Sequence, residues 1–221
     1  MFKFVSTQTV KRYKSYCADI LNQLKMSLFN NYGIEIDVEL IGSGAKNLVT
    51  QNENESFDLD YNLIINSFGD DYNPDNTSDL RELKDLIRNE LNEILEEEHF
   101  GDAQDSKSVL TARLFFVNDP EKKEFSFDIA IFAKNSLGNY CRLIHEKGSV
   151  DRFYWNEVPS SYDVYEKSNE LKEYGWWQDV RETYFKLKNM YLKRNDHTHP
   201  SFIVYVEAVN QVYNEFENYE G

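Results

Sequence analysis

The apolar residues at the start of the chain repeat with two different periods. From about Thr7 to Asn31 they recur every three or four positions, which predicts an amphipathic helix that ends near Gly33. Residues 34–44 begin with alternating apolar and acidic side chains, which predicts a half-buried strand that ends in a Gly-Ser-Gly turn. A helix followed directly by a strand favours a mixed α and β fold.

A second alternating segment follows a polar stretch. Residues 50–56 are polar and predict a loop, whereas residues 57–66 alternate apolar with polar side chains and predict a strand. Because side chains of a strand point alternately to its two faces, Asp58 and Asp60 are expected on the same face. Residues 67–78 contain Gly, Pro, Asn and Asp and predict another loop.

The middle of the chain predicts one helix and a hairpin. Ser78 is placed to cap a helix that runs to about Glu98 on a regular apolar stripe. Residues 108–117 and 124–133 predict two strands, and the turn signal between them favours antiparallel pairing. Residues 141–147 predict one further short strand.

The last third of the chain has a mainly helical pattern. Three helices are predicted, over residues 163–174, 176–194 and 201–218. We therefore predict an α+β fold, a mixed sheet flanked by helices, with a C-terminal helical region. The predicted division is a core over residues 1–137 and a mainly helical region over 138–221, which would form the opposite wall of a cleft.

Composition narrows the possible partners and the compartment. The formal net charge of −15 argues against non-specific binding of duplex DNA, which requires a broad basic surface. The two cysteines, Cys17 and Cys141, stand in no metal-ligand spacing, and no long apolar run is present. We expect a cytoplasmic protein that does not associate with membranes.

Three aspartates are the candidate catalytic and metal-binding residues. Asp58 and Asp60 share a strand face, and Asp128 lies in the middle of the apolar strand FSFDIAIF. A carboxylate among apolar neighbours is costly to bury unless a partner compensates its charge. A shared divalent cation would compensate it, and Mg²⁺ prefers carboxylate oxygens as ligands.

The turn at Gly42 and Ser43 is the candidate phosphate site. A glycine allows backbone N–H groups and the Ser43 hydroxyl to approach phosphate oxygens closely, where a larger side chain would obstruct them. The turn directly follows one strand and precedes the strand that carries Asp58. A phosphate bound there is therefore expected close to the carboxylates.

These residues, in this order, resemble the polymerase-β-like nucleotidyltransferase superfamily. The resemblance covers Gly-Ser after a strand, Asp-x-Asp on the next strand and a third aspartate on a later strand, within about residues 35–133. The segment GSGAK is also similar to loops of the branch that holds template-independent RNA polymerases and second-messenger oligonucleotide synthases.

The resemblance implies a role for each candidate residue. Gly42 and Ser43 would hold the triphosphate, with Lys46 as a further phosphate contact. Asp58, Asp60 and Asp128 would ligate Mg²⁺ or Mn²⁺, and Asp128 would also help to deprotonate the acceptor hydroxyl. The implied function is transfer of a nucleoside monophosphate from an NTP such as ATP to an acceptor hydroxyl, with release of pyrophosphate.

The acceptor and several alternatives stay open at this level. A small molecule and an RNA or tRNA end are both compatible with the sequence, as are a protein acceptor and nucleotide oligomerisation. The runner-up function is a non-catalytic nucleotide-binding or partner-binding module, for example in a toxin–antitoxin or phage-defence system. A simple Ca²⁺ site is disfavoured because residues 52–60 lack a central glycine and regular oxygen-ligand spacing.

Several other residues carry weaker signals. The basic residues between Arg181 and Arg194 predict an exposed helix face or a phosphate contact. His197 and His199 predict a connecting turn rather than a metal site. Nothing in the sequence places Arg113 or Arg142 near the aspartates.

Overall fold

The computed structural model describes residues 1–69, 73, 76–116, 118–159, 162–196 and 199–220. His197 lies outside these residues. The chain forms two compact units: the larger comprises residues 6–49 and 55–158, and the smaller comprises residues 1–5, 50–54 and 159–221.

Six helices and nine strands are seen in the described residues. In chain order they are β1 (Phe2–Phe4), α1 (Thr7–Tyr32), β2 (Ile34–Ile41), α2 (Gly42–Lys46), β3 (Thr50–Asn52), β4 (Phe57–Phe68), α3 (Thr77–Glu97), β5 (Phe100–Asp105), β6 (Leu110–Phe116), β7 (Asp119–Lys134), β8 (Tyr140–Glu146), β9 (Arg152–Glu157), α4 (Tyr162–Glu173), α5 (Trp177–Lys193) and α6 (Ser201–Glu220). The predicted helix over residues 7–31 and the predicted hairpin of β6 and β7 are therefore confirmed.

The larger unit is built on a mixed seven-stranded sheet. Its strand order is β2-β4-β7-β6-β5, and β8 pairs with the far end of β7 and with β9. β4 and β7 are parallel, whereas the other pairs are antiparallel. The parallel pair brings two strands that are distant in sequence side by side at the centre of the sheet.

The period-two pattern of the central strands separates a core face from a polar face. Leu59 and Leu63 on β4, and Phe125 and Phe127 on β7, are buried. Both α1 and α3 contact the sheet, α1 through β2 and α3 through β5, and they also contact each other. Tyr13 of α1 stacks on Phe125 with ring centroids 4.3 Å apart. The aspartates occupy the alternate positions of the same strands and therefore lie on the opposite face.

A buried polar network ties three elements of the larger unit together. Lys84 of α3 is 3% exposed, and its ammonium lies 2.6 Å from a carboxylate oxygen of Asp105 on β5. The other oxygen of Asp105 lies 2.5 Å from Nδ1 of His145 on β8. The ammonium donates a further hydrogen bond to the carbonyl of Ser106. These bonds compensate the burial of the Lys84 charge.

Four local features differ from the sequence prediction. The predicted loop over residues 50–56 contains β3, which pairs with β1, so a partner far along the chain decides its conformation. β5 and β9 are strands that the sequence did not predict, and pairing with β6 and β8 stabilises them. The side chain of Asn76, rather than Ser78, caps α3 by accepting a hydrogen bond from the backbone N–H of Ser78.

The smaller unit joins the three C-terminal helices to the β1–β3 pair. All three helices were predicted from the periodicity and are confirmed. Tyr184 is 1% exposed and belongs to the core of this unit. In the basic stretch of α5, the Arg181 guanidinium lies 4.4 Å from the ring centroid of Phe4, and the Lys188 ammonium lies 4.4 Å from that of Phe2. These contacts make both cations part of the packing around β1.

Among the described residues, none of the helices combines the length and the apolar character that crossing a membrane requires.

Candidate metal and nucleotide site

The parallel pairing of β4 and β7 brings the three aspartates together. Asp60 and Asp128 are direct neighbours in the register, and Asp58 lies two residues before Asp60 on the same face. One carboxylate oxygen from each residue lies within 4.8 Å of the others. Asp58 is exposed, whereas Asp60 and Asp128 are half-buried, so the group is open to solvent on one side.

The electrostatics of this group favour a cation. Burial, together with repulsion from Asp58 and Asp128, raises the pKa of Asp60 to about 6. The positive charges of Lys46 and Arg142 oppose that shift. Oxygen donors at this spacing match the preference of Mg²⁺ and Mn²⁺ for carboxylates, so the donor set fits the predicted metal.

Thr111 orients one of the candidate ligands. It faces Asp128 in the register of β6 and β7, and its hydroxyl donates a 2.6 Å hydrogen bond to Oδ1 of that carboxylate. The hydrogen bond restricts rotation of the carboxylate about its side-chain torsions. Thr111 was not predicted from the sequence, where its only signal was a polar side chain at an alternating position of the strand expected to pair with the Asp128 strand.

Gly42 lies directly against the carboxylates. Its φ is +60°, and a Cβ atom built there would lie 2.6 Å from Oδ2 of Asp60. Only glycine satisfies both the left-handed backbone and this close approach. Ile41 pairs with Asp60 in the register of β2 and β4, which explains why the chain reaches the site at this point.

The segment after Gly42 is a short helix, α2, rather than an open turn. Gly44 is buried, and a Cβ atom there would lie 2.9 Å from the side chains of Leu40 and Leu59. The Lys14 ammonium of α1 donates a 2.6 Å hydrogen bond to the Gly44 carbonyl. The Ser43 carbonyl accepts a 2.9 Å hydrogen bond from the backbone N–H of Leu48. Packing and these bonds fix the backbone of Ser43, the residue that follows Gly42.

The remaining candidate, Lys46, is also close to the group. It ends α2 and is half-buried, and its charge acts on Asp60. The structure therefore brings all six predicted residues into one region of the polar face: Gly42, Ser43, Lys46, Asp58, Asp60 and Asp128. It also places Arg142 there, which the sequence did not. The guanidinium of Arg113 on β6 donates a hydrogen bond to Gln104 on β5.

Comparisons with known proteins identify structural neighbours. No protein-family model and no curated protein matches the sequence. Escherichia coli MS115-1 CdnC, solved with ATP, matches with a TM-score of 0.58 and 16% identity, covering 95% of this chain and 61% of that chain. Vibrio cholerae DncV in its GTP-bound form matches with a TM-score of 0.54 and 14% identity, covering 81% and 45%.

A third neighbour is informative about the fold and the bound molecule. DncV cyclic AMP-GMP synthase in complex with the linear intermediate 5′ pppA(3′,5′)pG matches with a TM-score of 0.55 and 12% identity, covering 81% of this chain and 47% of that chain. This chain thus spans between 45% and 61% of the length of these neighbours. The matches confirm the predicted nucleotidyltransferase-like α+β fold.

Proposed function

We propose that this protein is a metal-dependent nucleotidyltransferase that moves a nucleoside monophosphate from an NTP to an acceptor hydroxyl and releases pyrophosphate. The observation that carries the proposal is the convergence of three carboxylates from two adjacent parallel strands, with oxygens within 4.8 Å, beside a left-handed glycine. A purely structural role does not require three like charges at this spacing.

The chain's own residues have distinct tasks in this reaction. Asp58, Asp60 and Asp128 hold Mg²⁺ or Mn²⁺, which when bound polarises phosphate oxygens and lowers the pKa of the acceptor hydroxyl. The Asp128 carboxylate, oriented by Thr111, accepts the proton of that hydroxyl. Ser43 and the backbone at Gly42 position the triphosphate, and the Lys46 ammonium offsets part of its negative charge.

A nucleotide is the favoured acceptor among small molecules. The supporting observation is the linear intermediate held by DncV, in which the second nucleotide is joined through a 3′,5′ linkage. In the same way, a 3′ hydroxyl of one nucleotide would attack the α-phosphate of another on this chain. An RNA or tRNA end is the second candidate, because it presents the same hydroxyl on a larger molecule.

The direct test is transfer of label from each α-³²P NTP. The protein is incubated with Mg²⁺ or Mn²⁺, with and without total RNA, and the products are separated. We expect label in a new small product containing two nucleotides; label in RNA would support the second candidate acceptor.

Matched variants connect the transfer to the site. The Asp58→Asn, Asp60→Asn double variant and the Asp128→Asn variant are expected to lose transfer by at least about 100-fold. In the absence of metal they are expected to melt like the wild type or at a higher temperature. The control is Asp102→Asn, an exposed position on β5. Full transfer by the double variant would overturn the proposal, and nucleotide binding without transfer by the wild type would favour the non-catalytic module.

A further inference from the structure

Arg142 is a half-buried cation on the same face of the sheet as the three carboxylates. It lies on β8 and pairs in register with Phe132 of β7. Phe132 follows Asp128 by four residues on one strand, so the two side chains share a face. The guanidinium carbon lies 5.0 Å from the centroid of the Phe132 ring, which supports the planar group from one side.

The surroundings of Arg142 make an uncompensated charge unfavourable. Phe132 belongs to a buried apolar cluster with Ile64 and Ala130 on this face. Burial lowers the pKa of Arg142, and the nearby charge of Asp60 opposes that effect. The Nε atom is itself buried and has no hydrogen-bond partner in the part of the chain that the structure describes. A buried donor without a partner is costly, and a ligand that supplies the acceptor is one reason for a protein to retain it.

A cation bound at the aspartates would reduce the attraction between Arg142 and Asp60. Asp60 is one of the proposed metal ligands, and a divalent ion would compensate its charge and repel the guanidinium. Arg142 would then need a different anion on the same face. The phosphate groups of the nucleotide substrates are the anions that the proposed reaction brings there.

We infer that Arg142 binds a phosphate group of the substrate through the N–H groups of its guanidinium. The inference rests on the proposed function, because it takes the anion to be a nucleotide phosphate. A guanidinium presents its donors in a planar fork that matches two phosphate oxygens, which an ammonium does not. The phosphate belongs either to the donor triphosphate or to the acceptor nucleotide, and the two sources can be separated by experiment.

The test measures nucleotide binding without turnover. Isothermal titration calorimetry with an α,β-methylene NTP and Mn²⁺ is carried out on the wild type, Arg142→Gln and Arg142→Lys. If the donor triphosphate is the ligand, Arg142→Gln should weaken binding by about 10- to 100-fold, the range expected for losing hydrogen bonds between charged groups. Arg142→Lys keeps the charge but loses the fork, and a smaller weakening is expected. Its retained charge also provides a measurable variant if Arg142→Gln does not fold.

The matched control is Arg152→Gln on the neighbouring strand β9. Arg152 is 71% exposed and forms an ion pair of 2.6 Å with Glu146, so the substitution removes the same charge from the surface. We expect this variant to bind the analogue as the wild type does. Equal weakening in Arg142→Gln and Arg152→Gln would show a general effect of net charge and would overturn the inference.

A second titration identifies the source of the phosphate. With the analogue at saturation, an acceptor NMP is added to each variant. A loss of affinity confined to this step would assign Arg142 to the acceptor phosphate, whereas a loss in the first titration assigns it to the donor. If the wild type transfers label while both Arg142 variants bind both ligands like the control, the inference alone is wrong. If the wild type binds no nucleotide, the proposed function and the inference fail together.

Discussion

At the scale of single residues, Gly42 meets two demands that can be tested separately. Its φ of +60° disfavours any other residue, and a Cβ atom would lie 2.6 Å from the Asp60 carboxylate. Gly138 has a φ of +81° but no atom within 4 Å of a built Cβ. A substitution there therefore tests the effect of the left-handed backbone without a steric contact.

We expect Gly138→Ala to lower the free energy of unfolding by about 1 kcal/mol, the usual cost of a left-handed alanine. Gly42→Ala should be less stable than this control and should reduce label transfer by about 100-fold, because the displaced carboxylate no longer matches the site. Urea unfolding and the transfer assay measure the two effects. Equal stability and full transfer in both variants would contradict the contact with Asp60.

The raised pKa of Asp60 predicts that the stability of the metal-free protein depends on pH. Its pKa is raised from 3.8 to about 6, so the folded state binds a proton more tightly than the unfolded chain does. The contribution of Asp60 to the free energy of unfolding is therefore lost as pH rises from about 4 to about 6. Above that range the ionised carboxylate opposes folding.

The variant Asp60→Asn removes this ionisation. In the presence of a chelator we expect it to melt at a higher temperature than the wild type at about pH 8, with the difference disappearing near pH 4. Mn²⁺ should reverse the order at the higher pH, because the ion stabilises only the protein that binds it. Circular dichroism melts provide the measurement, and a difference independent of pH would argue against the raised pKa.

At the scale of elements, Lys14 ties α1 to α2. Its half-buried ammonium donates a 2.6 Å hydrogen bond to the carbonyl of buried Gly44, and burial lowers the pKa of the lysine. The variant Lys14→Met keeps the apolar stem and leaves that carbonyl without its donor. We expect a loss of about 1 kcal/mol in the free energy of unfolding and weaker binding of the α,β-methylene NTP.

Lys11→Met on the same helix is the control for this change, since Lys11 is exposed. Urea unfolding and calorimetry on both variants distinguish a specific effect from the loss of one positive charge. Nucleotide binding that falls equally in both would assign the effect to charge and would exclude a positioning role for Lys14.

The elements also show which parts of the site the sequence could predict. The alternation around Asp58 and Asp60 is local, so their shared face was predictable. The parallel pairing that puts Asp60 opposite Asp128 depends on two strands with a helix and two further strands between them in the chain, and no local pattern encodes the register. For the same reason Thr111 and Arg142, which reach the group only through strand pairing, were not assigned to it.

Short polar segments were the other part of the fold that could not be predicted from the sequence. β5, with sequence FGDAQD, has little alternation of its own and is stabilised by its pairing with β6 and by packing against α3. The small residues of GSGAK are compatible with an open turn and with one helical turn, and the packing of Gly44 against Leu40 and Leu59 favours the second. Tertiary contacts decide such segments, whereas the long helices follow from periodicity alone.

At the scale of the whole molecule, the chain forms two compact units, and each unit is made of segments that are not consecutive in sequence. The smaller unit includes residues 1–5 and 50–54 because β1 pairs with β3, and the larger one contains the whole mixed sheet. The proposed metal ligands all belong to the larger unit, whereas the basic stretch of α5 belongs to the smaller. The predicted division between residues 137 and 138, and an opposite wall formed by the C-terminal region, stay predictions.

The net charge of the molecule bears directly on the choice of acceptor. A formal charge of −15 repels polyanions, so we expect a small acceptor whose binding depends weakly on salt. Its KM should change by less than about tenfold between 50 and 200 mM KCl. An RNA held through six to ten phosphates would lose about 10³- to 10⁵-fold in affinity over the same range. Label transfer is therefore measured across this salt series with a mononucleotide and with total RNA as acceptors. If RNA is the better acceptor at low salt and transfer to it falls steeply as salt increases, the protein acts on RNA ends despite its charge.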